Sequence, residues 1–404
     1  MQKLKTEQLN VIAILSIFLF SGAGSFMNPA VQTMMDAWPQ ISATNIRMVT
    51  SLPFVVSLPI TILIGNIAGK RLSYRFCAIF GTSLILVFGI APFFFHSSWM
   101  LVLVFRAMVG VGVGFVAMRN ALILKSVPEH QQATVIGYGS SMMNAGTVIS
   151  GPIVGMLTVY GWQYPFLYDI AAVVPLLFMI FFLKEPKTGD VSGTLGTACG
   201  TAMRQTEHKR PGWRIVFYIV AQFIMTAALY PLLSGMATYM TEKSIGNALL
   251  AGMVNSVYCL AGVLINVILS PIEKRLRQYS LSVMCVIFSL GMALVLFVPK
   301  LSTILIGAIL TGISFNIMMS LFQLYNGKEA DPQWSSLTAT ILIASLSLGN
   351  FASVYFINIC HMIFRRSSDV ESAYFGGLLL YLVFAVLMLL CKAAPEVYYE
   401  KKEG

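Results

Sequence analysis

Apolar runs close to twenty residues long recur about a dozen times along this chain, each bounded by glycine, proline or charge. An α-helix needs that length to cross roughly 30 Å of hydrocarbon at 1.5 Å per residue. The balance of residues agrees: 57% of the 404 are hydrophobic and 10% charged, where an ordinary soluble chain carries about 25% charge. The sequence therefore predicts an all-α membrane protein.

Spans are expected at roughly 9–35, 46–68, 76–95, 99–124, 132–158, 163–183, 213–240, 246–270, 281–299, 302–326, 334–360 and 370–391, twelve transmembrane helices in all. With both termini cytoplasmic, nineteen of the 26 Lys and Arg residues fall on the inner side. Five fall outside: Arg47, Lys243, Lys300, Arg365 and Arg366. That asymmetry is the positive-inside pattern of a multi-pass protein of the cell membrane. Trp38, Trp99, Trp162, Trp213 and Trp334 sit at or just beyond span ends, where an amphipathic ring prefers the headgroup boundary. The first run, with "SGAGS" at 21–25, imitates a cleaved signal peptide, but its polar stripe argues that it stays.

Several function classes are disfavoured. The net charge of +10 is spread between apolar runs and not gathered on one face, which signals topology and no nucleic-acid partner. Six scattered cysteines without a CxxC suggest neither a metal site nor a disulfide framework, and no cofactor is expected. No HExxH or GxSxG occurs, and His96, His130, His208 and His361 lie in loops or at span ends, so an enzyme is not expected.

The hydrophilic stretch 184–212, rich in Gly, Thr and charge, reads as a cytoplasmic linker between two six-helix halves, 1–183 and 213–404. The halves echo each other. "GKRLSYR" at 69–75 recurs as "EKRLRQY" at 273–279, and Pro29 and Gly110 stand at nearly the same offset from Pro231 and Gly312. Duplication of a six-span unit accounts for this pseudo-symmetry.

Span 4 contains "FRAMVGVGVG". Gly110 and Gly114 share one helical face, which admits a neighbouring backbone for tight packing or for sliding. Gly112 lies off that face. As a nucleotide fingerprint the stretch fails, because it follows no strand. Arg106, roughly 10 Å deep, either snorkels outward or faces protein, water or an acid. Arg119, near the inner end, either snorkels or contacts an anion in a cavity. Asp169 is the acid placed clearly within a span; it is either hydrated, paired with an arginine, or able to carry a proton.

Four features together resemble the major facilitator superfamily along essentially the whole chain. Arg106-x-x-x-Gly110-x-Gly112-x-Gly114 matches its span 4 motif. Gly65-Asn-Ile-Ala-Gly69-Lys70-Arg71-Leu-Ser-Tyr-Arg75 matches its loop between spans 2 and 3, with Gly69 where the family has aspartate. Glu273 keeps an acid in the second copy, and Gly151-Pro152-Ile-Val-Gly155 resembles the span 5 motif of antiporters.

The resemblance implies a secondary active transporter in which the halves rock about a midplane site. It places Arg106 in a polar seam against span 1 and links it to proton coupling; Asp169, from its position within a span, is the candidate carboxylate. It assigns gating to Gly65, Lys70, Arg71, Arg75, Gly151, Pro152, Glu273, Lys274 and Arg275. It places spans 1, 4, 7 and 10 around the cavity, and polar stripes fall there: Ser21, Ser25, Asn28 and Gln32; Gln222, Thr226, Tyr230 and Ser234; Asn316 and Gln323. With Arg119 and Asn144, the amides and Tyr230 are the expected substrate contacts, although any of them can instead join helices by hydrogen bonds. The expected partners are a small-molecule substrate, protons and membrane lipids, bound by a monomer. Proton-coupled efflux by antiport is the leading expectation; proton-coupled uptake of a small organic anion and a transporter-like membrane sensor are the alternatives.

Overall fold

The computed structural model describes residues 2–69, 71–185, 212–266, 276, 279–330 and 332–390, which are helical nearly throughout. Among the described residues ten helical segments are long and apolar enough to cross a membrane, and Gln8–Leu19 and Ala248–Val263 are shorter apolar helices at the places of spans 1 and 8. In chain order the α-helices are α1 (Gln2–Leu19), α2 (Val31–Ala37), α3 (Ala43–Ile67), α4 (Tyr74–Phe94), α5 (Trp99–Val116), α6 (Arg119–Ser126), α7 (Glu129–Leu157) and α8 (Val173–Phe182). They continue as α9 (Trp213–Ser234), α10 (Met236–Glu242), α11 (Ala248–Asn266), α12 (Ser280–Phe297), α13 (Leu301–Glu329), α14 (Pro332–Phe364) and α15 (Asp369–Leu390).

Two compact units result. One comprises Met1–Leu195, Ser234–Met240 and Gly246–Ser256; the other comprises Gly196–Leu233, Thr241–Ile245 and Val257–Gly404. In the first, α5 packs between α3 and α4, and α7 packs on α1. In the second, α12 packs on α13 and α15, and α14 on α15. There the ring of Phe288 stacks on Tyr381 at 3.6 Å between centroids, and the Tyr381 hydroxyl donates to Met225 O at 2.9 Å.

Several spans expected to be continuous are broken. Span 1 is helical to Leu19, then turns through residues 20–27, where Ser21, Ala23, Ser25 and Asn28 N–H groups reach back three residues, before a 3-10 turn at Asn28–Ala30 and α2. Gly22 and Gly24 weaken the helix there and Pro29 offers no N–H. The α-helix that would align Ser21, Ser25, Asn28 and Gln32 on one face thus ends at Leu19, before the first of them, and resumes only at Val31. Span 4 breaks at Ala117–Met118, so that Arg119 opens α6. Span 6 begins as a 3-10 segment, Tyr164–Ala172, that carries Asp169, and span 7 breaks at Gly235.

The rings of Trp38, Trp99 and Trp162, expected singly at span ends, lie 5.7–6.4 Å apart in one cluster of the first unit. Arg47, expected in an outer segment, lies in α3 and is 1% exposed.

Candidate functional site

Proline and glycine prepare the surroundings of Arg106. Pro53 lies inside α3 and has no N–H to return to residue 49, so the Val49 carbonyl loses its helical donor. The break in span 1 similarly turns the carbonyls of Ala23 and Gly24 away from a regular ladder. Arg106 collects all three: Nε donates to Val49 O at 2.8 Å, and one terminal nitrogen donates to Ala23 O at 3.0 Å and Gly24 O at 2.9 Å. Its other terminal nitrogen lies 3.8 Å from Asp169 Oδ2, and both side chains are 0% exposed. Arg106 is thus a buried polar seam against span 1 and does not snorkel. A guanidinium suits this task because its five donors lie in a fixed fork.

Asp169 reaches the seam from the 3-10 segment of span 6. Neither carboxylate oxygen has a hydrogen-bond donor among the described residues. Gly89 on α4 makes the room: a Cβ there would collide with the Asp169 carboxylate. A buried carboxylate held by a cation alone is the arrangement in which gain of a proton changes the local energetics most.

The glycines after Arg106 serve two neighbours. A Cβ at Gly110 would fall 2.7 Å from Pro53 O and one at Gly114 2.6 Å from Ile60 Cβ, both on α3. Gly112, off that face, meets α4 instead, where a Cβ would fall 2.6 Å from Gly81 O. The spaced glycines let α5 touch two helices at backbone distance.

The expected substrate contacts differ in kind. Asn28 is 4% exposed and its Oδ1 has no partner among the described residues; Gln32 donates to Asp36 Oδ1 at 2.8 Å. Asn144 Nδ2 donates to Ser140 O at 3.1 Å and Asn316 Nδ2 to Gly312 O at 2.9 Å, each within its own helix. Gln222 is 2% exposed and donates to Leu342 O at 3.1 Å, so it joins α9 to α14. Tyr230 is buried, whereas Gln323 is exposed. Arg119 places its guanidinium carbon 4.9 Å from the centroid of the Phe18 ring.

Among the expected gating residues, Lys70, Glu273, Lys274 and Arg275 lie outside the described residues. Gly65 is buried and Arg71 exposed. Arg75 donates to Ile180 O at 2.7 Å. The acid at this end of the first unit is one that sequence reasoning missed: Glu185 accepts from Tyr74 N and Arg75 N, both at 2.8 Å, at the start of α4. A carboxylate fits the unsatisfied N–H groups and positive dipole of a helix N-terminus. The signal available was an acid directly after span 6, and only the fold brings it 111 residues back along the chain.

Gly151 and Pro152 act through α11. Pro152 strips Val148 O of its helical donor, and Ser256 Oγ donates to that carbonyl at 2.6 Å. Gly151 and Gly252 meet backbone to backbone, and a Cβ at Gly155 would lie 2.5 Å from Ala248 O. Among the described residues no three His, Cys, Asp or Glu side chains are grouped to hold a metal ion.

Comparison with known proteins places this geometry. Over 210 residues the chain is 26% identical to the Multidrug resistance protein MdtG of Proteus mirabilis, covering 51% of this chain and 50% of that protein. Over 157 residues it is 27% identical to the Hexuronate transporter of Bacillus subtilis, covering 36% and 34%. The matches thus span half the length or less of these curated relatives. Among solved structures, the fold is similar to the nucleoside transporter NupG (TM-score 0.73, 12% identity, 95% of this chain and 99% of that one). It is also similar to a D-xylose-proton symporter (0.70, 13%, 96% and 98%). The family model of the Major Facilitator Superfamily matches residues 13–354. With that match spanning most of its length, and with helices long and apolar enough to cross a membrane, the chain belongs to the Major Facilitator Superfamily of multi-pass membrane proteins.

Proposed function

We propose that the chain is a proton-linked exporter of the cell membrane, with both termini cytoplasmic, exchanging a small solute for protons by alternating access of its two halves. The observation that carries this is the Asp169 carboxylate, 0% exposed, without a hydrogen-bond donor among the described residues, and 3.8 Å from Arg106. While ionised, Asp169 ties span 6 to the Arg106 seam that also holds spans 1 and 2. Protonation removes that attraction and loosens the same seam, so proton occupancy and the packing of spans 1, 2, 4 and 6 are linked. Two features favour antiport: the Gly151-Pro152 motif on α7, and the similarity to a multidrug resistance protein.

A second reading, uptake of a small organic anion with protons, is favoured by the Arg119 guanidinium and by the similarity to a hexuronate transporter. Reconstitution in liposomes with an imposed proton gradient, screening lipophilic cations, sugars and organic acids, separates the two. Export predicts solute accumulation inside liposomes whose lumen is acidic, and uptake predicts accumulation against an acidic exterior. Flux indifferent to the gradient contradicts proton linkage in either direction.

A further inference from the structure

The two arginines of span 4 are provided for differently. Arg106 spends its donors on three carbonyls and faces Asp169. Arg119 has no hydrogen bond and no carboxylate within ion-pair distance among the described residues, and its Nε is buried without a partner. What it has is a ring: Phe18 on α1, 4.9 Å from the guanidinium carbon.

Phe18 says where that charge is. It is 3% exposed and is gripped from the α7 side at Gly139, where a Cβ would fall 2.6 Å from ring atoms. It stands nine residues into the first span, roughly 14 Å from the inner end at 1.5 Å per residue. The break at Ala117–Met118 ends α5 and lets Arg119 open α6 toward this ring. The guanidinium therefore lies against a buried ring of the first unit, at a depth inside the apolar segment Trp99–Ser126. An ionised side chain at that depth marks a solute or ion pathway unless it is paired. A ring contact occupies the neighbourhood of the cation without using its N–H donors, which remain set for bidentate recognition of a planar oxyanion.

We propose that Arg119, backed by Phe18, anchors the anionic end of the transported solute, a small organic acid presenting a carboxylate. This names a substrate class and rests on the reading of the chain as a transporter. The same oxyanion chemistry is offered by a lipid phosphate, and the experiment has an arm for each source.

The purified chain in phosphatidylcholine nanodiscs is titrated with benzoate, lactate, gluconate and glycerol 3-phosphate, and with benzamide and lactamide as neutral counterparts, following its thermal midpoint. At least one carboxylate is expected to raise the midpoint saturably while its amide does not. Arg119→Gln should weaken that binding by about tenfold or more and Arg119→Lys by less. In the wild-type chain the same acid should protect Arg119 from phenylglyoxal, read by peptide mass spectrometry, which keeps the test independent of how the variants fold.

The proposal is overturned if no acid in the set shifts the midpoint, if Arg119→Gln binds acids as the wild type does, or if Arg119 stays reactive at saturating acid. It is also overturned if only phosphatidylglycerol in the nanodisc stabilises the chain through Arg119, which would make the site a lipid contact. Arg119-dependent acid binding with no flux in liposomes would leave the anion site standing and contradict the transport reading. Flux of a neutral solute without acid binding would do the reverse.

Discussion

Arg106 donates from Nε to the carbonyl of Val49 at 2.8 Å, the carbonyl that Pro53 deprives of its helical donor four residues on. A charge and a helix breaker in neighbouring spans thus answer each other. The same hand that satisfies Val49 reaches the opened turn of span 1 and faces Asp169.

Replacing Arg106 by Met should lower stability by about 3–5 kcal/mol, because it strands a buried carboxylate as well as three carbonyls. Adding Asp169→Asn to that variant should recover part of the loss, since a neutral amide needs no counter-charge. Unfolding of the two variants in mixed micelles checks both. Equal instability of the single and double variants would show that the carbonyl contacts alone matter.

Ser256→Ala should cost about 1 kcal/mol by leaving the part-buried Val148 O without a donor. In a Pro152→Ala background the same change should cost far less, because the new N–H at position 152 restores the helical bond. A double-mutant cycle on thermal unfolding measures the coupling, and additivity of the two changes would contradict the link between Pro152 and Ser256.

Gly112→Ala should destabilise by roughly 1–3 kcal/mol through forced separation of α5 from α4 at Gly81. Gly137→Ala on α7, where a Cβ would meet nothing within 4 Å, is the matched control and should be neutral or mildly stabilising. Melting temperatures of the pair decide it.

Glu185→Gln should weaken the hold on the first N–H groups of α4 by about 1 kcal/mol. Amide hydrogen exchange at Tyr74 and Arg75 should quicken while that of Phe76, which donates to Ser73 Oγ, and of α5 stays unchanged. Unaltered exchange at Tyr74 and Arg75 would remove Glu185 from the α4 terminus.

Much of this was legible in the chain. Apolar run lengths located the spans, and the family resemblance at Arg106 pointed to a seam with span 1, which holds two of its three carbonyl acceptors. What periodicity could not show is that span 1 stops being an α-helix after Leu19. A 3.6-residue pattern can be drawn through Ser21, Ser25 and Asn28 whether or not the backbone follows it, and Gly22, Gly24 and Pro29 decided otherwise. Gln222 read as a cavity amide or as glue between helices, and only the fold shows that its Nε2 donates to Leu342 O on a neighbouring helix. Glu185 escaped because an acid after a span looks like any other loop charge until α4 is packed beside it.

Proton movement during solute exchange, recorded with a pH-sensitive dye trapped in liposomes, tests the central claim most directly when wild type and Asp169→Asn are compared side by side. The account predicts that wild-type exchange moves protons and that the variant, folded and binding solute, exchanges solute without moving them. Proton movement of wild-type size in Asp169→Asn would contradict it.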